Sequence, residues 1–370
     1  MQFVDNREIT DPRTNIALET YLVENRLSDE PLLLFYINEP SIIIGRNQNT
    51  VEEVNQAYVE ANGIHVVRRM SGGGAVYHDL GNFSFCFIQD ENSLSRDFSV
   101  FTKPVIEALH QMGVAGAKLE GRNDLLIDGK KFSGNAMYVK NGRMTAHGTI
   151  LFDADLDAVT QALKPRADKI ESKGIKSVRS RVTNIKPFVA PEYKDMTTRE
   201  FRDALLLHIF GVKDRAQVPE YHLTDADWEK VAQIRAERFA NWDWNYGKSP
   251  AFTSERYYKF PQGAVDFRFS VEHGVIQSLK IYGDFFGMGE IADVEKLLTG
   301  IPYRREAVEL AFSQIDSRYY SYPPKASYGV APLRRTTAYC LQRRALSETF
   351  GGWLYFGGIE SSALVDLLVG

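Results

Sequence analysis

Residues 68–82 read Arg-Arg-Met-Ser-Gly-Gly-Gly-Ala-Val-Tyr-His-Asp-Leu-Gly-Asn, with three consecutive glycines at the centre of the stretch. A β-branched run precedes it and alternating aromatic residues follow it from Asn82 to Gln89, so the pattern predicts a loop between two strands. Successive glycines can turn their N–H groups inward and form a concave anion site. A simple tight turn is the alternative, but the polar side chains around the glycines favour a ligand loop. These side chains belong to Arg68, Arg69, Ser71, Tyr77, His78 and Asp79.

This loop differs from two common glycine motifs. The Gly-Lys-Ser/Thr that completes a Walker loop does not follow the glycines, and no Gly-x-Gly-x-x-Gly opens a helix here, as a dinucleotide-binding fold requires. The stretch therefore belongs to another class of ligand loop.

The composition is that of an ordinary globular protein. The 370 residues suggest two or three domains, and 44% hydrophobic residues suffice for a sizeable core. The net charge of -4 argues against a dedicated nucleic-acid-binding protein. The two cysteines, Cys86 and Cys340, predict neither a disulfide framework nor a metal cluster. The first residues lack a signal pattern and no run approaches roughly 18 apolar residues, so we expect a cytoplasmic protein with no membrane association.

Two hairpin signals lie in the middle of the chain, at Asp128-Gly129 and Asn141-Gly142, and each has the left-handed preference of a type I′ turn. The second turn pairs His147 with Ala136, which places the histidine on the sheet face opposite Lys131. Only a bulge, for example near Gly134, would bring it round. We therefore leave His147 out of the predicted site.

The first turn fixes the register around a lysine. Its predicted cross-strand pairs are Ile127 with Lys130, Leu126 with Lys131, and Asp124 with Ser133. In this register Asp124, Lys131 and Ser133 share one sheet face, while Phe132 points into a core. A lysine beside a carboxylate is commonly just an exposed ion pair, and spacing alone leaves that interpretation open.

The remaining pattern predicts helices and strands on either side of a linker. Thr50 and Glu53 form a capping-box pattern for a helix that Gly63 would end, and Thr197 with Glu200 and Thr224 with Asp227 form the same pattern for two later helices. The aromatic stretch from Trp242 to Thr253 is expected to be the linker. Beyond it, a hairpin around His273-Gly274 followed by helices predicts a small α+β domain.

Two further segments stand apart in composition. Residues 169–186 carry six basic residues against one acidic residue, which suits either a solvated loop or a mobile flap over phosphates. Residues 321–354 contain three prolines and four arginines with little sustained periodicity. We expect the second segment to be a surface insertion.

Four motifs occur together in the order and spacing of one family. They are the glycine loop 68–82, Lys131-Phe-Ser-Gly134, His147-Gly-Thr149 and the segment Gly174 to Asn184. On these motifs the chain resembles the lipoate-protein ligase A family over nearly its whole length.

The resemblance implies a fold, a reaction and partners. Residues 1–245 would form a mixed α/β catalytic domain of the type shared with biotin ligases, and residues 250–370 a small α+β accessory domain. The family activates lipoate with ATP, releases pyrophosphate and transfers the lipoyl group to a lysine of an acceptor. Acceptors in the family are lipoyl domains of 2-oxoacid dehydrogenase complexes and the glycine-cleavage H protein. We expect a monomer, and the sequence leaves open which acceptor is preferred and whether lipoate or octanoate is used.

The resemblance also implies site residues. Lys131 would be the catalytic lysine, and Asp124 is the candidate to hold Mg²⁺. Some family members carry an arginine where this chain has Tyr138, so no ligand contact is expected there. The residues expected to bind ATP or lipoyl-adenylate are Arg69, Ser71, Gly72, Gly73, Gly74, Ala75, Val76, Tyr77, His78, Lys131, Ser133, Gly134, Gly174, Val178 and Arg179.

Two other functions remain on the same scaffold. An octanoyl- or lipoyl-transferase would act without ATP through a cysteine thioester, but Cys86 lies in Phe-Ser-Phe-Cys-Phe, where a small buried hydrophobe is the better interpretation. A noncatalytic binder of lipoate or a nucleotide is disfavoured because Lys131 and the whole glycine loop are present. A biotin ligase would need a different, arginine-rich glycine loop.

Overall fold

The structure is a computed structural model that describes residues 1–91, 97–163, 181–246, 254–287, 289–321 and 355–369. The described residues form two compact units. One comprises 1–70 and 74–246, and the other comprises 71–73 and the described part of 254–369. Three predicted site residues and nearly all of the predicted insertion lie outside the described residues, namely Gly174, Val178, Arg179 and 322–354.

The described residues of the first unit contain ten strands in two mixed sheets. In the larger sheet the order is β1-β2-β6-β10-β9-β8-β7, and only β1 and β2 run parallel. In the smaller sheet, β3 lies between parallel β4 and antiparallel β5. The strands are β1 (Gln2–Val4), β2 (Leu32–Tyr36), β3 (Ser41–Ile44), β4 (His65–Arg68), β5 (Val76–His78), β6 (Asn82–Asp90), β7 (Lys118–Glu120), β8 (Asp124–Ile127), β9 (Lys130–Lys140) and β10 (Arg143–Leu151).

Helices cover both faces of the larger sheet, and local sequence explains where several of them begin. Capping boxes at Thr197 and Thr224 start two helices, as the sequence predicts, and a π-helical turn over Arg235–Phe239 extends the second. The helices are α1 (Pro12–Glu24), α2 (Thr50–Glu53), α3 (Gln56–Ala61), α4 (Phe98–Gln111), α5 (Leu156–Ala162), α6 (Thr198–Phe210), α7 (Asp225–Ile234) and α8 (Trp242–Asn245).

Two hydrophobic cores lie on opposite faces of the larger sheet. On one face α4 and α6 pack over phenylalanines of the central strands, and the rings of Phe152 and Phe201 stack at 4.3 Å. On the other face α1 and α7 pack over residues such as Leu34 and Ile88. Every residue of β2 is buried because the strand has a core on each side. Burying each such side chain contributes roughly 1.5–3 kcal/mol.

The two predicted type I′ turns are confirmed. Asp128 and Gly129 have φ of 51° and 72°, and Asn141 and Gly142 have φ of 53° and 75°. The pairs Ile127 with Lys130 and Leu126 with Lys131 are also confirmed.

The third predicted pair is wrong. Asp124 pairs with Gly134 instead of Ser133, and Ser133 pairs with Leu125, because the register shifts between Leu125 and Leu126. Residue 132 is thus an extra residue on β9, a β-bulge that reverses which side chains share a face from there on.

Two predictions about the helices and linker also need correction. The helix predicted from Thr50 to Gly63 is broken into α2 and α3, and Asn49 precedes the first helix. The Thr50 hydroxyl donates to the Asn245 carbonyl at 2.6 Å, so it does not cap a helix. The predicted linker begins inside α8, and only residues 247–253 of it lie outside the described residues.

The second unit has the predicted hairpin and helices. His273 and Gly274 take φ of 50° and 75° at the turn. A further strand that was not predicted completes a three-stranded antiparallel sheet. The elements are β11 (Ser254–Phe260), β12 (Gly263–Glu272), β13 (Val275–Gly283), α9 (Ile291–Leu298), α10 (Arg305–Ser321) and α11 (Ser361–Val369).

Among the helices in the described residues, none combines the length and the apolar character needed to cross a bilayer.

Candidate active site

Lys131 and Asp124 form a half-exposed ion pair at the end of the larger sheet. Lys131 Nζ lies 2.7 Å from Asp124 Oδ1, and 37% and 39% of the two side chains are exposed. A Cβ at Gly134 would lie 2.8 Å from Lys131 Nζ. Gly134 therefore shares a sheet face with Lys131 and leaves the volume that the ammonium occupies.

The bulge brings His147 to the face of Lys131. Gly134 is on that face, Ala136 follows two residues later on the same strand, and Ala136 pairs with His147. Our placement of the histidine on the opposite face is therefore wrong. Sequence reasoning identified a bulge as the one way to place His147 on the face of Lys131. No sequence signal showed that the bulge forms.

Ser133 is placed differently from the prediction. It lies opposite Leu125, which is part of the core under α4 and α6, so its side chain is on the core side and not beside Lys131. Its hydroxyl is buried and has no hydrogen-bond partner among the described residues.

Arg69 connects the glycine loop to β3. Its guanidinium donates to the carbonyls of Ile43 and Gly74, each at 3.0 Å. Burial lowers the pKa of Arg69 to about 10, which leaves it charged at neutral pH. Gly73 has φ of 91°, where glycine is favoured, and the space around a Cβ at Gly74 is open.

The other predicted loop residues, 71–73 and 75–78, are buried or half-buried. Ser71, Gly72 and Gly73 are buried, and Ala75 and Val76 are half-buried beside core clusters. The Tyr77 ring is in the core of the smaller sheet, and burial raises the pKa of Tyr77 to about 12. A ligand at Tyr77 would therefore meet the backbone. His78 is buried as well, and burial lowers the pKa of its imidazole to about 3.

Arg68 organises a second loop, at residues 45–50, and sequence reasoning did not assign this role to Arg68. Its guanidinium donates to the carbonyls of Gly45, Arg46 and Gln48 at 2.7–3.0 Å and to Thr50 Oγ1 at 2.6 Å. It also donates to two carbonyls of α8, and Trp244 Nε1 donates back to the Arg68 carbonyl at 2.8 Å. The loop at 45–50 is thus fastened to β4 and to α8.

His147 belongs to a buried polar cluster with Glu19 and Cys86. Glu19 Oε1 is 2.5 Å from His147 Nδ1, and Cys86 Sγ donates to Glu19 Oε2 at 3.2 Å. Burial alone would raise the pKa of Glu19, but the His147 charge and hydrogen bonds from His147, Cys86 and Tyr36 hold it below its ordinary value. Glu19 was missed, although an acidic residue within the apolar run of α1 is a signal for a buried polar contact.

Cys86 is buried, as expected, but it is more than a small hydrophobe. Burial and the neighbouring Glu19 raise the pKa of its thiol well above the usual range. The ligand atoms of Glu19, Cys86 and His147 lie within 4.8 Å of one another. Hydrogen bonds already satisfy the three groups, so we assign no metal to them.

The described end of the basic segment meets the lysine strand. Val182 forms a parallel bridge with Lys131, and the Thr183 amide donates to the Lys131 carbonyl at 2.9 Å. The last part of the predicted flap, at Val182 and Thr183, is therefore attached beside the ion pair.

Together these features define a class of protein. A mixed α/β domain presents a lysine beside a carboxylate and a glycine loop stabilised by an arginine. It also has a buried polar cluster of Glu19, Cys86 and His147. Such a site can bind anionic substrates and stabilise the negative charge that develops during acyl or phosphoryl transfer.

Comparison with known families gives this class its family. Residues 11–210 match the lipoyl protein ligase A/B catalytic domain, and residues 249–326 match the bacterial lipoate protein ligase C-terminus. The lipoate-protein ligase LplJ of Bacillus subtilis (strain 168) is 52% identical over 321 residues, covering 86% of this chain and 96% of LplJ. The chain belongs to the lipoate-protein ligase family, so the predicted family and the prediction of a ligase are confirmed.

Solved structures agree with the fold. LipL1 of P. falciparum in complex with lipoate has a TM-score of 0.69 at 25% identity and covers 94% of this chain and 98% of its own. The bipartite lipoate protein ligase of Thermoplasma acidophilum, studied with its E2 lipoyl domain, has a TM-score of 0.56 at 28% identity, with coverages of 68% and 98%. Lipoate-protein ligase A bound with ATP has a TM-score of 0.54 at 25% identity, with coverages of 66% and 98%. The predicted mixed α/β fold is confirmed.

Proposed function

We propose that this protein activates lipoate with ATP to lipoyl-AMP, releases pyrophosphate, and transfers the lipoyl group to one lysine of an acceptor protein. The acceptor would be a lipoyl domain of a 2-oxoacid dehydrogenase complex or a glycine-cleavage H protein. The observation that carries the proposal is the half-exposed Lys131 ammonium, held 2.7 Å from Asp124 on the sheet face that also bears His147. Solved relatives that hold lipoate, hold ATP or were studied with a lipoyl domain support the substrates.

Charge explains why a lysine is needed at this place. A carboxylate that attacks the α-phosphate of ATP brings two anions together, and negative charge grows on the phosphate oxygens. Lys131 and backbone N–H groups of the glycine loop would stabilise that charge, while Arg69 holds the loop through Gly74. In the second step the neutral amine of the acceptor lysine attacks the acyl carbon, the bond from that carbon to the AMP oxygen breaks, and Lys131 stabilises the charge on the phosphate of the departing AMP.

Asp124 fits the requirements of a Mg²⁺ ligand. Mg²⁺ commonly takes one or two carboxylates and completes its shell with water and substrate phosphates. Asp124 supplies one half-exposed carboxylate beside the lysine. When bound, the ion would neutralise phosphate charge. Lys131 holds the Asp124 side chain toward the site.

We propose the remaining ligand contacts for the residues predicted from the sequence, except Ser133, whose side chain lies on the core side of the sheet. Gly74 and Ala75 offer backbone, Tyr77 offers backbone only because its ring is buried, and Arg69 acts by holding Gly74. Gly134 supplies space for Lys131. We also propose residues 1–245 as the catalytic domain and 250–370 as the accessory domain.

Cys86 argues against the transferase alternative. A thioester mechanism needs a reachable thiolate, whereas this thiol is buried and its pKa is raised. Cys86→Ala should therefore retain ATP-dependent ligation. Loss of all acyl transfer with the fold intact would favour the transferase.

The proposal is tested by mass spectrometry of a purified lipoyl domain. The domain is incubated with this protein, ATP, Mg²⁺ and either lipoate or octanoate, and a variant with its acceptor lysine replaced by arginine is the control. We expect one added acyl group that requires ATP and the acceptor lysine. Modification without ATP, or none with either acid on a lipoyl domain and an H protein, would overturn the proposal. ATP–pyrophosphate exchange separates an enzyme from a noncatalytic binder.

A further inference from the structure

A chain of buried hydrogen bonds runs from the N-terminal loop to the glycine loop. Asn6 Nδ2 donates to Asn15 Oδ1 at 3.0 Å, and Asn15 Nδ2 donates to Asn38 Oδ1 at 2.9 Å. Asn38 Nδ2 lies 2.9 Å from His78 Nδ1, and His78 Nε2 lies 3.2 Å from Thr149 Oγ1. All five residues are buried.

The direction of these bonds fixes the tautomer of His78. Asn38 accepts from Asn15 through its oxygen, so its amide nitrogen faces the imidazole and must donate to Nδ1. Nδ1 is therefore a bare acceptor, and the single proton of the neutral ring is on Nε2, where Thr149 Oγ1 accepts it. An amide at position 38 dictates this state, because a donor facing Nδ1 leaves no place for a second proton.

The charged surroundings agree with a neutral ring. The titratable groups that act on His78 are Arg69, from the loop after β4, and His147, from β10. Burial holds the pKa of His78 at about 3, and repulsion of an imidazolium by these two groups adds to the effect. Its chain neighbour Asp79 instead accepts from the amides of Gly81 and Asp155.

His78 also joins the two sheets. It ends β5, which in the described residues pairs only with β3 of the smaller sheet. Asn38 follows β2 and Thr149 belongs to β10, and both strands are in the larger sheet. The ring therefore connects the strand that closes the glycine loop to the sheet that carries Lys131.

We propose that Asn38 is a positioning residue for the ligase reaction: it holds His78 as the neutral Nε2–H tautomer and so fixes residues 74–78 relative to the Lys131 face. This inference rests on the proposed function, because it assigns a role to the loop in binding the substrate anion.

The test begins with the wild-type protein and needs no reaction. Histidine labelled with ¹⁵N reports the tautomer, and the His78 signal is assigned by its absence from His78→Gln. We expect an Nε2–H tautomer that does not titrate between pH 5 and 9. Titration in that range, or a proton on Nδ1, would overturn the proposal. An inactive wild type with the expected tautomer would sink the proposed function alone.

The variant is Asn38→Asp, which keeps the shape but replaces the donor with a carboxylate. The new carboxylate must be met by an N–H on Nδ1, so the imidazolium becomes favourable and His78 should titrate in the measured range. The positive charge of the His78 imidazolium would repel the Arg69 guanidinium, which donates to the Gly74 carbonyl. We expect kcat/KM for ATP to become pH-dependent and to fall about tenfold on the acid side, as a small displacement of a positioning loop can cause.

Matched variants separate this effect from a general loss of packing. Asn62→Asp makes the same change at an exposed helix end and should keep the wild-type pH profile. Thr149→Ser keeps a hydroxyl that accepts from His78 Nε2–H, so the tautomer should be unchanged. Thr149→Val removes this acceptor and should lower the ligation activity. A folded Asn38→Asp protein whose pH profile superimposes on that of the wild type would refute the role of Asn38.

Discussion

A Cβ at position 134 would lie 2.8 Å from Lys131 Nζ, so Gly134 keeps free the volume that the Lys131 ammonium occupies. The two residues are three apart in sequence and would face opposite sides of a regular strand. They face the same side here because the strand carries one extra residue between them. The position of the ammonium beside Asp124 is therefore set jointly by a bulge and by an absent side chain.

Gly134→Ala should reduce the ligation rate more than it reduces stability. The added methyl group meets only the flexible end of Lys131, which can move aside, so we expect the thermal midpoint to fall by no more than about 2 °C. The displaced ammonium should lower kcat/KM by about 10- to 100-fold. The measurement is steady-state lipoylation beside a thermal melt.

A double variant shows whether the alanine acts through the lysine. If it does, adding Gly134→Ala to Lys131→Ala should cost no further activity, because the group it displaces is already gone. Additive losses would mean that Gly134 serves the site in another way.

Lys131→Ala should inactivate a folded protein. A half-exposed ion pair with Asp124 contributes at most about 1 kcal/mol to stability, so the melt should change little. Loss of charge stabilisation in both chemical steps should cost roughly 3–4 kcal/mol, or a few hundredfold in rate. Lys131→Arg should not restore activity, because a planar guanidinium cannot place a point charge at the same spot.

Lys130 is the internal control for this prediction. It precedes Lys131, pairs with Ile127 and is exposed. Lys130→Ala should therefore stay active. Equal losses in the two alanine variants, or no loss in either, would contradict the role assigned to Lys131.

The sequence predicted the elements that local chemistry determines. Thr197 and Thr224 form capping boxes, and Asp128-Gly129 forms a left-handed turn, because each motif satisfies its own backbone groups within a few residues. The glycine loop and the lysine segment were found for a related reason, since their residue types are unusual in a strand or turn without a ligand.

The sequence did not predict the bulge. Both the regular register and the bulged register bury Leu125 and Phe132, so the hydrophobic pattern does not distinguish them. The choice nevertheless decides whether Ser133 or His147 shares the face of Lys131. One extra residue thus changed the composition of the predicted site.

Contacts between distant segments were also beyond the sequence. Arg68 bonds to residues around 45–50 and 244–245, which lie about 20 and 177 positions away. Nothing local marks Arg68 as structural and Arg69 as the residue that holds the glycine loop, because both are arginines in one polar motif. Trp242 was assigned to a linker for the same reason.

Arg68→Lys should destabilise the fold although it keeps the charge. A lysine has three donors at one point and cannot reach the carbonyls of Gly45, Gln48 and Asn245 together. Each buried acceptor left unsatisfied costs about 1–3 kcal/mol, so we expect a loss of several kcal/mol. Chemical denaturation measures it, and Arg26→Lys, at a half-exposed arginine, is the control. A loss below about 1 kcal/mol would show that water replaces the guanidinium.

His78 should make the protein less stable in acid, and the sign follows from its pKa. The ordinary pKa of a histidine is 6.5 and burial lowers that of His78 to about 3. As the pH falls below 6.5, His78 binds a proton in the unfolded chain but stays neutral in the folded chain until about pH 3. The contribution of His78 to the free energy of unfolding is therefore fully present above pH 6.5 and is lost as the pH falls toward 3. This one group removes at most about 1.4 kcal/mol per pH unit. His78→Gln has no such proton, so its thermal midpoint should fall less steeply than that of the wild type between pH 6.5 and 4.5.

His222→Gln, at a mostly exposed histidine, should keep the wild-type slope. Parallel slopes for His78→Gln and the wild type would mean that the folded protein protonates His78 readily, and the neutral ring between Asn38 and Thr149 would have to be abandoned.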